Sequence, residues 1–215
     1  MKIRRCFRRA VLGAVLLAAS HAALAASPAI PAPSLFGTIA LPAPDMPMTA
    51  KWAKVRALEP SLLIQSLVEP VVGLDRPRQM LFVQSVVQRT LRYREDLQMW
   101  GQADYWASAA ETLSRGGGDC EDLAIVKYQA LLALGFAPAN LVLSVGRDLA
   151  RGDHALLLVR EGDSWWVLDD KYPRPVRADD QKGFEPVMSF SGASAQWLHG
   201  RRGTQGADPI PAARR

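Results

Sequence analysis

Apolar positions recur first with helical spacing along this chain and then, over its last third, with the spacing of strands. Met80, Val83, Val87 and Leu91 fall on one face of a helix predicted over residues 75–94, with Asp75 and Pro77 at its start. A shorter helix is predicted over 49–58. Ser108 and Glu111 have capping-box spacing and open a helix that ends at Gly116, Gly117 and Gly118. Another begins at Asp119 or Cys120 and stops before Gly135, a residue suited to a helix C-cap. Strand-like runs follow at 141–145, 154–160, 164–169 and 186–190. Hairpin-type turn residues, Gly152-Asp153 and Glu161-Gly162-Asp163, separate the middle ones. Helices grouped ahead of short strands joined by short turns predict an α+β fold with an antiparallel sheet.

The two ends follow different rules. Lys2, Arg4, Arg5, Arg8 and Arg9 precede an apolar run over 10–19 and a small-residue stretch ending in Ala23-Leu24-Ala25. That order is a secretory signal peptide over residues 1–25, and its apolar run is too short to span a bilayer as a mature helix. Residues 26–48 hold six prolines and are expected to be an extended lead-in, ordered only where it lies on the core. The folded domain is placed at 49–200. The tail, 201–215, with Pro209, Pro211 and four arginines, is expected to be disordered.

Removing the leader changes the charge. The whole chain carries 26 Lys and Arg against 21 Asp and Glu, and five of the basic residues lie in 1–25. The mature chain is close to neutral, so no nucleic-acid partner is expected. Cys6 and His21 leave with the same segment, so the remaining candidates for thiol and imidazole chemistry are Cys120, His154 and His199. An exported chain with one cysteine forms no internal disulfide, so Cys120 is inertly buried, paired between chains or functional. These three residues have no zinc-ligand spacing.

The neighbours of Cys120 favour function. Three glycines lead the backbone into a helix beginning near Cys120, where unpaired N–H groups and the helix dipole favour a thiolate and could hold an oxyanion. Asp119, Glu121 and Asp122 oppose the thiolate, so activation needs a cationic partner. His154, opening an apolar strand, is the candidate. His199, near the C-terminus, is expected to be a solvated bystander. Asp169 ends the next strand and can orient the imidazole, completing a nucleophile–base–orienter set. Alternation along Trp165-Trp166-Val167-Leu168 does not choose between Asp169 and Asp170, because both faces carry large apolar residues. Tyr105 and Trp106 are read either as core or as a cleft wall, with the Trp106 indole N–H donating to the oxyanion. By themselves Glu121 and Asp122 complement a helix dipole.

Several stretches together carry a resemblance. They are Leu91-Arg92-Tyr93, the segment from Trp100 to Trp106, Gly117-Gly118-Asp119-Cys120-Glu121-Asp122, His154, Val167-Leu168-Asp169, and the run from Pro186 to Phe190 followed by Trp197-Leu198. Over about residues 80–200 the chain resembles the bacterial transglutaminase-like cysteine peptidases, in particular their periplasmic adhesin-processing members. The resemblance implies a papain- or transglutaminase-like core, with the cysteine at the N-terminus of a helix packed on an antiparallel sheet that carries the His and Asp. It implies a periplasmic thiol protease with Cys120, His154 and Asp169 as its catalytic residues. It also implies calcium (Ca2+) dependence with Glu121 and Asp122 as ligands, and no organic cofactor. The implied substrate is a large surface adhesin cut at an Ala-Ala site, which would control biofilm attachment. The implied regulator is the periplasmic domain of a membrane receptor that senses a cyclic dinucleotide. Two other readings use the same residues: amide transfer or cell-wall amide hydrolysis, and a non-enzymatic exported calcium-binding module with a buried Cys120.

Overall fold

The computed structural model describes residues 32–202 and 207–209; the expected leader lies outside them. The helices come first. After strand β1 (Thr38–Pro42) come α1 (Pro47–Arg56), α2 (Leu62–Val68) and α3 (Arg76–Thr90). The Asp75 carboxylate caps α3 by accepting from the Arg78 N–H, and Pro77 fits the first turn, where its missing N–H costs nothing. Met80, Val83, Val87 and Leu91 are buried, as their spacing predicts. The helix ends four residues earlier than expected, because Leu91 turns extended and Arg92–Tyr93 becomes a short strand, β2.

Next come α4 (Asp96–Trp100), α5 (Ala109–Arg115), the two-residue strand β3 (Gly117–Gly118) and α6 (Cys120–Ala133). The Ser108–Glu111 capping box opens α5, and Gly116, at φ +72°, closes it in the left-handed region. β3 pairs parallel with β2. A Cβ on Gly117 would collide with the Arg92 carbonyl and one on Gly118 with the Asp122 side chain, so this approach to Cys120 admits only glycine.

The remaining elements are strands: β4 (Leu141–Asp148), β5 (Gly152–Glu161), β6 (Ser164–Leu168), β7 (Val176–Arg177), β8 (Phe184–Ser191), β9 (Gln196–Arg202) and β10 (Ala207–Pro209). They join β1 in one antiparallel sheet of order β1-β9-β8-β4-β5-β6-β7, with β10 on β9. The α+β expectation holds, with helices packed on an antiparallel sheet. Two boundary expectations change. Part of the lead-in is a sheet strand, and the sheet extends into the region expected to be a disordered tail, through Arg202 and 207–209.

α6 is the structural centre. It lies on β4 and β5 and is covered by α2, α3 and α5. Its residues are accordingly buried all round from Cys120 to Leu131, including Lys127 and Gln129. The sheet divides two cores. Ala155, Leu157, Val159 and Leu168 face α6, while Leu156, Leu158 and Val167 face the other way, toward Ala40, Phe184 and Trp197.

Candidate active site

Cys120 is the first residue of α6, and the N-cap Asp119 accepts a hydrogen bond from the Asp122 N–H. The thiol is 8% exposed and lies against the backbone N–H of Ala155, the residue after His154. Its proton points to Glu121, whose Oε2 is 2.9 Å from Sγ. Burial and the Glu121 carboxylate raise the thiol well above its ordinary pKa despite the helix N-terminus. Burial acts first and the acidic neighbours add to it, Glu121 and Asp119 both opposing the thiolate.

His154 and Asp169 meet through the β5–β6 register. Val167 pairs with Leu158 and Leu168 with Leu157, so the residue after Leu168 falls on the His154 face of the sheet. His154 Nε2 is 2.8 Å from Asp169 Oδ1, and both side chains are buried. Asp170 Oδ1 is farther away, at 3.5 Å. Burial pushes the Asp169 carboxyl up, but the bonds from His154 and the Lys171 N–H prevail and hold it far below the usual carboxylate range.

Arg151, in the β4–β5 turn, was not singled out by sequence reasoning. Its Nη2 approaches Asp170 Oδ1 at 2.9 Å, His154 Nε2 at 3.1 Å and Asp169 Oδ1 at 3.3 Å. Nε2 cannot donate to Asp169 and accept from Arg151 at once, so with its proton on Asp169 the guanidinium serves the two carboxylates. Arg151 lies three positions before His154, and that spacing across a tight turn was the available sequence signal. Lys127, wholly buried, donates to the Leu168 carbonyl at 3.3 Å. Burial lowers its pKa to about 8 against the pull of Asp169 and Asp170.

Glu121 and Asp122, adjacent on the helix, diverge by about 100°. Only Asp122 joins an acidic cluster, with Asp96 and Asp119, their carboxylate oxygens lying within 4.8 Å of one another. Sequence reasoning did not pick Asp96 or Asp119 as ligands. Asp122 Oδ1 accepts from the Ala107 N–H at 2.7 Å, and Asp96 Oδ2 accepts from the Tyr105 N–H. Asp96 Oδ1 is buried without a hydrogen-bond partner. Burial and mutual repulsion push Asp119 up to about 9; burial, Asp96 and Glu121 push Asp122 up to about 7. Three crowded carboxylates with an orphaned buried oxygen suit a hard cation that takes oxygen ligands.

Trp106 is 4% exposed and packs edge-on against Phe190 in the α6-side core. Tyr105 donates its hydroxyl to Glu111 at 3.0 Å. His199 corrects an expectation. Instead of being solvated it is 2% exposed on β9, with Nδ1 2.9 Å from Thr38 Oγ1 and Nε2 2.8 Å from Ser189 Oγ. Burial lowers its pKa to about 4, so it is a neutral latch between strands.

A helix that starts at a cysteine and lies across an antiparallel sheet bearing a bonded His–Asp pair is the architecture of transglutaminase-like thiol enzymes. Comparison with known families narrows this class. The model of "Bacterial transglutaminase-like cysteine proteinase BTLCP" matches residues 65–200, and the chain belongs to that family. It is a cysteine proteinase, and its substrates are proteins. Among solved structures it is similar to LapG of Legionella pneumophila, at 25% identity and TM-score 0.56, over 73% of this chain and 88% of that one. The EGTA-treated form matches at 25% identity and TM-score 0.57, over 75% and 90%. The calcium-bound form shares the fold at 23% identity and TM-score 0.55, over 76% and 91%. No curated protein matches the chain.

Proposed function

We propose that this proteinase acts outside the cytoplasm, in the periplasm, through a Cys120–His154–Asp169 triad, and cuts a large surface adhesin at an Ala-Ala bond, thereby controlling biofilm attachment. The reading rests above all on the 2.8 Å bond between His154 and Asp169 beside a strand whose Ala155 N–H meets the thiol. With Nε2 committed to Asp169, Nδ1 is the ring nitrogen left to take the Cys120 proton when the thiol turns from Glu121 toward the ring. The sulfur then adds to the scissile carbonyl carbon, and the first-turn N–H groups of α6 hold the oxyanion. The imidazolium returns its proton to the departing amine. Water, deprotonated by His154, hydrolyses the thioester. Asp169 keeps the ring in one tautomer and stabilises its charged form.

Asp96, Asp119 and Asp122 would hold Ca2+, which supplies positive charge beside the nucleophile's helix. The calcium-bound form of the Legionella relative supports this reading. Control by the periplasmic domain of a receptor sensing a cyclic dinucleotide follows from the family resemblance, as do the adhesin and its cleavage site.

Cys120→Ser tests the centre of this reading. It should abolish cleavage of a peptide spanning an Ala-Ala bond while leaving the thermal transition in place. Substantial activity in the purified variant would sink the triad. An added primary amine separates the reactions, because a proteinase releases a free carboxylate and an amide transferase a new amide.

A further inference from the structure

The segment carrying Asp169 leaves the sheet when β6 ends, yet three of its carbonyls keep hydrogen-bond donors. Its carbonyls turn toward α3, where Gln84 and Gln88 stand one helical turn apart on the same face. Gln84 Nε2 donates to the Asp169 carbonyl at 2.5 Å and to the Tyr172 carbonyl at 2.6 Å. Gln88 Nε2 donates to the Asp170 carbonyl at 2.9 Å and to Tyr172 again at 2.7 Å. Each amide thus spends both protons on this loop. Gln84 is fully buried, and the Leu168 carbonyl just before the loop takes the Lys127 bond from α6.

We propose that Gln84 and Gln88 are positioning residues that clamp the backbone of residues 169–172 and so place the Asp169 carboxylate against His154. The proposal rests on the triad reading above. The buried carbonyls need donors, and taking them from α3 ties the acid of the triad to the rigid helical layer that also packs on the nucleophile's helix. A helix with this rise and rotation fixes two donor points about 6 Å apart, enough to set both position and tilt of a four-residue loop. The carboxylate's geometry is therefore determined from behind, by side chains that never meet substrate.

Gln79 supplies an internal control. It lies on the same helix, is equally buried, and donates to the Val71 and Val72 carbonyls at 3.1 and 3.3 Å, away from the site. Met replaces Gln with similar length and no donor. Gln84→Met and Gln88→Met should lower kcat on an Ala-Ala peptide roughly 10- to 100-fold with KM little changed, the scale seen when partners behind a functional group are removed. They should also shift or broaden the far-downfield proton resonance of His154 Nε2–H, assigned by its loss in His154→Gln. Gln79→Met should leave kcat and that resonance as in the parent, even if its melting temperature falls. Gln88 is only partly buried, so its variant keeps the test alive if Gln84→Met does not fold. An unchanged resonance and kcat in Gln88→Met and in the double variant, beside an inactive Asp169→Asn, would overturn the clamp and spare the triad. Equal losses in Gln79→Met would also overturn it, by tracing the effect to general stability. An active Asp169→Asn would remove the triad and the clamp together.

Discussion

The molecule holds two clusters rich in aspartate, and the same side chain behaves oppositely in each. Around Asp169 and Asp170 stand His154, Arg151 and the Lys171 N–H, with Lys127 behind. Asp169 is fully buried and still ionises more readily than a free carboxylate. Around Asp96, Asp119 and Asp122 the further charges are mainly acidic, Glu121 among them, and burial raises all three. Burial is common to both clusters, so it does not decide the outcome. What decides is whether cationic groups of the chain stand close enough to offset it, as they do at Asp169 and do not at Asp119 and Asp122.

The largest effect should come from breaking the self-sufficient cluster. Asp169→Asn keeps the shape but loses the charge, and should reduce kcat by roughly 10²- to 10⁴-fold, the upper end being the loss measured for the same change in a serine-protease triad. Asp170→Asn, which loses mainly an Arg151 partner, should cost less than about tenfold. Assays of both variants on one peptide check the register, and an inactive Asp170→Asn beside an active Asp169→Asn would shift the site by one residue.

Next in size is the response of the second cluster to Ca2+ and pH. Asp122 and Asp119 bind protons more tightly folded than unfolded. Without Ca2+, their contribution to stability therefore falls as pH rises from about 3.8 to about 7 and about 9 respectively. Asp169 has the reverse sign, its contribution being complete above 3.8 and lost only as pH drops below that. Saturating Ca2+ at a hundredfold excess over Kd should add about 2.7 kcal/mol and flatten the alkaline decline in melting temperature. A chelator should restore the decline and suppress activity, and Asp96→Asn or Asp119→Asn should weaken Ca2+ binding and suppress activity likewise. Identical melting curves with and without Ca2+ across this range, and no heat of binding by calorimetry, would remove the metal from the comparison.

The smallest effect should come from outside both clusters. His199→Asn breaks the latch between Thr38 and Ser189, and should cost about 1–3 kcal/mol of stability, the penalty for unmade buried hydrogen bonds, with kcat unchanged. Denaturant melts and kinetics on the same preparation check both halves.

Where information is local, the sequence was readable. Asp75, Ser108 and Gly116 mark helix ends by chemistry acting over three or four residues, and Cys120 was visible as a helix start for the same reason. Non-local pairing hid the rest. β1 is a short run among prolines whose partner lies near the other end of the chain, and β9 carries a His, a Gly and two Arg. With that strand unseen, His199 looked solvated. Alternation alone could not separate Asp169 from Asp170, whereas pairing Val167 with Leu158 does. Asp96 reaches Asp119 and Asp122 from a different helix, and nothing in its own neighbours distinguishes it from a surface acid.

The pairing of β1 with β9 has a consequence for synthesis. Thr38 faces Arg201 and Pro42 faces Trp197, so the first described strand must wait for nearly the whole chain before its neighbour exists. A ribosome delivers Cys120, then His154, then Asp169, and only afterwards the strand that covers β8. A message cut short before residue 196 would leave Met188, Ser189 and Phe190 without their sheet neighbour. Such a product exposes a bare apolar edge able to pair with its own copies. Premature termination should therefore give an aggregating fragment, although Cys120, His154 and Asp169 have all been made.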